Sequence, residues 1–472
     1  MAVTLDHYGE LVACLETLGQ VRDAVCAREK LAAALARMAR YDQALAVLEQ
    51  AVGALQGAAD LVGVLRVETS LAGMYLSMGA YPAGIARLQP VVAALESSGP
   101  SADLAAAYLA LARLCVQNGQ PDRTLAFAVR GEAIARAVGD RACLVYALAD
   151  RAYGCFMASR VDEALQLAEQ AVALSQPEDR WWPWLLLAWI YEERGEYLQG
   201  RQTAEHLLVL VEGAHDPWGI VSTMSRLGLA AFLTGDWSAA HAYLERGMAV
   251  ACEAGYVRGS AYATPRCDLG RLLHAEGDWE EAARHFQDVL AAYSGTGERI
   301  QTLVAHAHLA ERDVLEGRPE AACVRLLPLL DSPGQEHRMV THFILPVLAW
   351  AQLETGHVDQ AATTVSAAIE RSRRNICRLA WAQALRVQAL VLLKQARWDE
   401  AKQAIEEGLA LTRSMPYPHG EGQLLAVYGR LYLARGDATA TRACLEAALA
   451  SFRRLGARAD IESAEQLLAT LG

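Results

Sequence analysis

The sequence contains only three lysines, Lys30, Lys394 and Lys402, and none of them follows a glycine. A phosphate-binding P-loop requires Gly-Lys-Ser/Thr, so this chain does not carry that nucleotide site. The chain also lacks Gly-x-Ser-x-Gly, a glycine-rich dinucleotide turn and His-Glu-x-x-His, which mark serine hydrolases, dinucleotide-binding enzymes and zinc proteases. We therefore predict that the chain is not an enzyme, has no catalytic residue and binds no cofactor.

Long apolar runs and closely spaced cysteines are also scarce. The longest apolar run covers the 11 residues 181–191 and contains a proline, whereas a membrane-spanning helix needs about 20 residues. The ten cysteines are scattered without a Cys-x-x-Cys, so we expect buried free thiols of a cytoplasmic protein. The N-terminus has no basic region followed by an apolar run, so a signal peptide is not expected.

Basic residues are outnumbered, with 43 Lys+Arg against 55 Asp+Glu and a formal net charge of −12. This acidic balance removes the general attraction to nucleic acids and anionic membranes, and we expect neither as a direct partner. A chain that is 53% hydrophobic and 21% charged has the composition of a folded protein. Single cores stop growing at roughly 250–300 residues, so 472 residues require several domains or a repeated architecture.

Histidine pairs that suit a metal are missing. A zinc site on one helix face uses imidazoles three or four residues apart, and none of the twelve histidines has that spacing. His306 and His308 lie two apart, so their side chains diverge on a helix. We predict no metal site.

A phrase of the form Gly-x-aromatic-x-x-small recurs along the chain, as in GAYPAG from Gly79 and GDWSAA from Gly235. Its third position, which we call the marker, occurs eleven times, at residues 41, 81, 121, 161, 197, 237, 279, 319, 358, 398 and 438. Successive markers lie 36 to 42 residues apart, and most lie 40 apart. Periods of roughly 20–50 residues are the signature of repeat architectures.

Small residues fix the register of the repeat. In every copy Ala, Gly or Thr stands three residues after the marker and nine residues before it, which lets two helices approach closely. A glycine two residues before the marker, in eight of eleven copies, supplies the left-handed conformation that ends a helix. The other three copies have Ala39, Ser159 and Ala396 at this position. Each copy is therefore predicted to be a helix hairpin.

These columns resemble the tetratricopeptide repeat, whose pattern of Leu-Gly/Ala followed by Gly-x-Tyr-x-x-Ala they match over roughly residues 22–465. The unit here is close to 40 residues instead of about 34 and lacks the terminating proline. The longer unit is similar to the C-terminal repeat region of bacterial signal-transduction ATPases of the maltose-regulator type. The resemblance implies an all-α, right-handed superhelical solenoid of about eleven helix hairpins plus end helices.

The predicted organisation has three parts. Residues 1–21 form an N-terminal helix, residues 22–456 form the eleven hairpins, and residues 457–472 form a C-terminal helix that caps the last apolar face. The N-terminal helix is interpreted either as half of a further repeat or as a cap.

The resemblance places a partner groove on the first helices, at positions 12, 8, 5 and 4 residues before each marker. These positions are apolar in the middle repeats and polar further along. The predicted groove residues are Tyr153, Phe156, Met157, Trp189, Leu229, Phe232, Leu233, Arg271, Glu311 and Trp350. Such a groove suits an amphipathic helix or an extended peptide. Alternatively, the longer unit rotates the first helix, and the aromatic residues are ordinary core between repeats.

The resemblance also implies a non-catalytic scaffold that binds a protein, a peptide or a small effector. One hypothesis is the sensor or partner-binding arm of a bacterial multidomain signalling ATPase or transcription regulator. The alternative is a freestanding adaptor that assembles other proteins.

Overall fold

The computed structural model describes residues 2–38, 40–176, 181–293, 300–330 and 343–471. These residues contain 24 α-helices and no strand, which confirms the predicted all-α class. Helices α1 (Ala2–Thr17) and α24 (Arg458–Ala469) lie at the two ends, and the helices between them form eleven hairpins, repeats 1–11. No helix in the described ranges has both the length and the apolarity that crossing a membrane requires.

Each hairpin consists of a first and a second helix. The first helices are α2 (Val21–Arg37), α4 (Leu61–Met78), α6 (Ala102–Gln117), α8 (Arg141–Met157), α10 (Trp182–Glu193), α12 (Pro217–Thr234), α14 (Ser260–Glu276), α16 (Ile300–Leu315), α18 (Leu345–Glu354), α20 (Arg378–Lys394) and α22 (Pro418–Ala434). The second helices are α3 (Tyr41–Gly57), α5 (Tyr81–Ser97), α7 (Pro121–Val138), α9 (Val161–Leu174), α11 (Tyr197–Gly213), α13 (Trp237–Glu253), α15 (Trp279–Ala292), α17 (Pro319–Leu330), α19 (Val358–Arg374), α21 (Trp398–Ser414) and α23 (Ala438–Leu455).

Every marker is the first residue of a second helix, from Tyr41 of α3 to Ala438 of α23. Two residues earlier, the backbone has a positive φ in every copy that the structure describes. Ser159 and Ala396 adopt this left-handed conformation, at φ 67° and 57°, although it costs a non-glycine residue roughly 1–2 kcal/mol. Ala39 lies outside the described residues. The repeat therefore imposes the turn even where glycine is absent.

The small-residue columns are buried where the two helices of a hairpin meet. An added Cβ at Gly228 would lie 2.5 Å from Leu244 Cγ, and one at Gly270 would lie 2.8 Å from Phe286 Cζ. Carbon atoms pack at about 3.5–4.0 Å, so these contacts admit no larger side chain without movement. The small columns thus set the distance between paired helices.

The array curves toward its first helices. First helices of neighbouring hairpins pack on one another along the whole series from α2 to α22, whereas no comparable contact joins neighbouring second helices within the described ranges. The first helices therefore line the concave side of the solenoid. We call this surface the inner wall.

Successive turns of the superhelix touch. Arg378 Nη1 donates to the carbonyl oxygen of Arg194 at 3.2 Å, and Arg458 Nε donates to that of Glu276 at 3.0 Å. Hairpin turns of repeats 5–7 thus meet the turns that follow repeats 9–11, so one superhelical turn takes between four and five repeats. We call this contact the seam, formed by residues 194–197, 235–237 and 276–278 on one side and 376–378, 415–419 and 455–460 on the other.

The middle of the seam is apolar. The Tyr197 hydroxyl donates to Met415 Sδ at 3.7 Å, and both side chains are fully buried. The rings of Trp237 and His419 meet edge-on, with centroids 5.5 Å apart. The seam thus buries apolar side chains of successive turns against one another.

All ten cysteines are free thiols. Four of them are buried, but the expectation of burial is wrong for Cys14, Cys26 and Cys252. These three are exposed because they occupy solvent-facing positions of α1, α2 and α13.

Candidate functional site

The six predicted apolar groove residues of repeats 4 and 6 are all buried: Tyr153, Phe156, Met157, Leu229, Phe232 and Leu233. The rings of Phe156 and Tyr153 contact that of Trp189, with centroid distances of 5.1 and 5.8 Å. The three residues of repeat 6 belong to the largest hydrophobic cluster, which also contains Trp237 of the seam. This burial supports the alternative that they are core between repeats, and a groove role for them stays a prediction.

Three polar or amphipathic groove residues lie around one cavity. Arg271, Glu311 and Trp350 line a space of about 30 Å³ between α14, α16, α18 and α20, which has room for about two water molecules. The lining of this cavity also includes His308, Val347 and Arg386. Trp189 lies away from this cavity, beside the guanidinium of Arg226, at 5.8 Å from its ring centroid.

Two guanidinium groups of the cavity lie over aromatic rings. The distance from the guanidinium carbon to the ring centroid is 4.9 Å for Arg386 over Trp350 and 5.6 Å for Arg271 over Phe343. Cation–π attraction is strongest where the cation is desolvated. Arg386 makes no ion pair with any described residue. Its charge is therefore stabilised by the face of the Trp350 ring and by the more distant carboxylate of Glu311.

A row of paired charges runs along the inner wall, and the sequence interpretation missed most of it. Arg226 lies 2.8 Å from Glu192 and 3.6 Å from Asp268, and Asp268 lies 3.4 Å from Arg271. In repeat 4, Asp150 lies 3.4 Å from Arg113 of repeat 3. We call this row the charge ladder: Arg113, Asp150, Glu192, Arg226, Asp268 and Arg271.

Three of the missed residues share one position, eleven residues before the marker, whereas Arg113 and Glu192 stand at the groove positions eight and five residues before it. The shared position carries Asp150, Arg226, Asp268 and His308 in repeats 4, 6, 7 and 8. The family pattern does not include it among groove positions, so the resemblance does not predict these residues on the wall. The available signal was the charge itself, because the same position is valine in repeats 9, 10 and 11.

Burial raises the pKa of all three carboxyl groups of the ladder, including that of Asp268. It raises the pKa of Asp150 to about 6, against the opposing effects of Arg113 and of the hydrogen bond from Trp182. Burial likewise raises the pKa of Glu192 to about 7, although Arg226 favours the ionised form. Removing a charge from water costs more here than its partner returns.

Glu311 behaves differently because two imidazoles and a guanidinium lie near its carboxylate. His308 Nδ1 lies 3.1 Å from its Oε2, and His274 Nε2 lies 3.5 Å from the same oxygen. Burial opposes ionisation, but the hydrogen bond and the neighbouring basic groups outweigh it and lower the pKa of Glu311 to about 2. Burial lowers the pKa of His274 to about 4 and also lowers that of His308. At neutral pH the carboxylate is charged and both imidazoles are neutral.

Several polar atoms of the first helices are buried without a hydrogen-bond partner among the residues that the structure describes, among them Glu192 Oε1, His308 Nε2 and Arg386 Nε. The described ranges contain no group of three or more histidine, cysteine or carboxylate side chains placed to hold a metal ion. Among the described residues, the wall offers hydrogen-bond donors, an acceptor and a guanidinium outside any ion pair, that of Arg386. Its chemistry is that of a binding surface.

Two segments of the chain match family models of the tetratricopeptide repeat, residues 220–254 and residues 268–300. The resemblance to this repeat is thereby confirmed for repeats 6 and 7. A search of curated protein sequences found no match to the chain.

The chain is also similar to several solved structures. The APC/C hetero-tetramer Cut9–Hcn1 has a TM-score of 0.51 and 13% identity, covering 98% of this chain and 96% of that one. A Rap protein complexed with competence and sporulation factor has a TM-score of 0.42 and 11% identity, covering 79% of this chain and 98% of that one. Yeast Tom70 has a TM-score of 0.35 and 13% identity, covering 95% and 96%. At this identity, the first match shows the fold alone.

Proposed function

We propose that the chain is a non-catalytic scaffold that binds a protein segment, a peptide or a small effector against its inner wall. The observation that carries the proposal is the row of buried polar groups on that wall, including several atoms without a hydrogen-bond partner among the described residues. An unpaired buried polar group costs about 1–3 kcal/mol. A ligand that pairs with such groups recovers this free energy on binding.

The polar half of the wall, in repeats 7–10, suits a ligand better than the aromatic half. The aromatic side chains of repeats 4 and 6 already pack on their own neighbours. Around the cavity, Arg386 Nε and His308 Nε2 have no hydrogen-bond partner within the described ranges, and Trp350 is only partly buried. A peptide brings both main-chain hydrogen bonds and apolar side chains, which is the combination that these residues would satisfy.

In a larger setting, we propose that this scaffold is the sensor or partner-binding arm of a bacterial multidomain signalling ATPase or transcription regulator that works in the cytoplasm. The repeat length close to 40 residues supports this setting. The alternative is a freestanding adaptor. The gene sequence around this chain separates the two. A P-loop module in the same reading frame supports the signalling ATPase, and a reading frame that encodes this chain alone supports the adaptor.

A binding screen on the purified chain tests the scaffold proposal. Affinity capture and a thermal-shift screen of small effectors should yield a ligand that raises the melting temperature. Arg386→Gln should weaken its binding by roughly tenfold, about 1.4 kcal/mol, because that guanidinium lines the cavity and pairs with no carboxylate among the described residues.

The matched control is Arg397→Gln, which removes an exposed guanidinium that pairs with Glu400 and should leave binding unchanged. Equal binding by wild type and both variants would place the site off the inner wall. A chain that captures nothing would contradict the scaffold proposal.

A further inference from the structure

Little of the inner wall around the cavity is exposed to solvent. The cavity beside Arg271 and Glu311 holds about 30 Å³, which is far smaller than a ligand pocket of about 300–1,000 Å³. Arg271 and His274 are each only 9% exposed. A peptide or effector that contacts these residues must therefore enter through a movement of the solenoid.

We propose that the seam opens and closes as a unit and that its opening admits the ligand to the inner wall. The proposal rests on the proposed function, because it specifies how the binding surface named there is reached. Neighbouring hairpins are joined by whole helix faces. Across the seam only turns and helix ends meet. The seam is thus the contact that parts while every hairpin stays folded.

The polar anchors of the seam lie near solvent. Arg458 donates to the carbonyl oxygen of Glu276 and pairs with Asp278, and its side chain is 58% exposed. Exposed ion pairs add little stability. The apolar contact of Met415 with Tyr197 is buried and holds the closed form. A few contacts of this kind hold the two turns of the superhelix together.

Glycines at the seam give a specific way to force it apart. An added Cβ at Gly235 would lie 2.8 Å from Pro418 Cγ and 2.9 Å from Leu455 Cδ2. At Gly356, in the same left-handed turn of repeat 9, an added Cβ would meet nothing within 4 Å. The φ angles are 88° and 84°. Gly235→Ala and Gly356→Ala therefore share the backbone strain and differ only in the clash across the seam.

The seam also offers a site for a covalent lock. An added Cβ at Gly277 would lie 3.6 Å from Ala459 Cβ, within the range of about 3.5–4.5 Å found across disulfides. The double variant Gly277→Cys with Ala459→Cys should therefore form a crosslink on oxidation, and peptide mapping identifies it among the native thiols. The same protein under reducing conditions is its matched control.

Thiol labelling of the interior measures opening directly. Val347→Cys places a thiol in the lining of the cavity, and mass spectrometry follows its reaction with N-ethylmaleimide in the full chain. Added Gly235→Ala should speed the labelling severalfold, whereas Gly356→Ala should leave the rate unchanged. In the crosslink variant, oxidation should slow labelling severalfold relative to the reduced form.

The proposal fails if the oxidised and reduced forms label at the same rate, or if Gly235→Ala and Gly356→Ala label alike. Should Gly235→Ala fail to fold, Arg458→Ala replaces it, because this change removes only an exposed anchor of the seam. The experiment needs no ligand. A chain whose seam opens but which captures nothing overturns the proposed function alone, and a chain that captures a ligand equally fast when crosslinked overturns the gate alone.

Discussion

Replacing Gly228 by leucine probes the close contact between α12 and α13. An added Cβ at this position would lie 2.5 Å from Leu244 Cγ and 2.7 Å from Leu244 Cδ2, so the larger side chain must displace Leu244 or the helix. Overpacking of this kind costs about 1–3 kcal/mol. The change from glycine also returns about 0.5–1 kcal/mol of helix propensity. The expected net result is a loss of up to about 2.5 kcal/mol.

The matched control is Gly53→Leu in α3, where an added Cβ meets nothing within 4 Å and the residue is exposed. It receives the same gain in helix propensity without the clash, so it should be neutral or slightly stabilising. Native-state hydrogen exchange is the assay, because contacts in a solenoid are made between neighbours. Gly228→Leu should speed exchange in α12, α13 and the adjoining repeats only. Unchanged exchange in both variants would refute the assigned register.

Three further changes test packing and electrostatics. Phe156→Ala and Phe232→Ala should each lower the free energy of unfolding by about 3–5 kcal/mol, as expected for core residues, and calorimetry measures this loss. An unchanged melting temperature with weaker ligand capture would instead indicate that these residues line the groove. Burial, opposed by Arg226, raises the pKa of Glu192 to about 7, so its protonated form contributes stability that is present below about pH 4.5 and is lost as the pH rises through about 7. Glu192→Gln should therefore flatten the dependence of urea stability on pH across that window, and an unaltered dependence would contradict the assignment. Ala396→Gly should stabilise the chain by up to about 1 kcal/mol, because glycine adopts φ 57° without a Cβ penalty, and a loss in urea denaturation would argue against the left-handed turn.

The repeat register was predictable because it depends on local chemistry. A turn that ends one helix in the left-handed region and starts the next at Tyr81 or Trp237 is specified by a few adjacent residues. The small residues at the two fixed positions around each marker specify the same register independently. Each marker therefore coincides with the start of a second helix.

The seam was not predictable from the repeat pattern. It brings Tyr197 to Met415, 218 residues away, and depends on the small rotation that each hairpin adds to the superhelix. This accumulated rotation cannot be read from the sequence of any single repeat. The charge ladder was missed for another reason, since Asp150 and Arg226 occupy a position that the family pattern does not assign to its groove.

Hydrogen exchange of the chain with and without a captured ligand tests the central claim, that the inner wall is the binding surface. We expect ligand-dependent protection in the first helices that line the cavity, α14, α16, α18 and α20, with no comparable change in the second helices α15, α17 and α21. Protection confined to those second helices would place the ligand on the convex face and contradict the account.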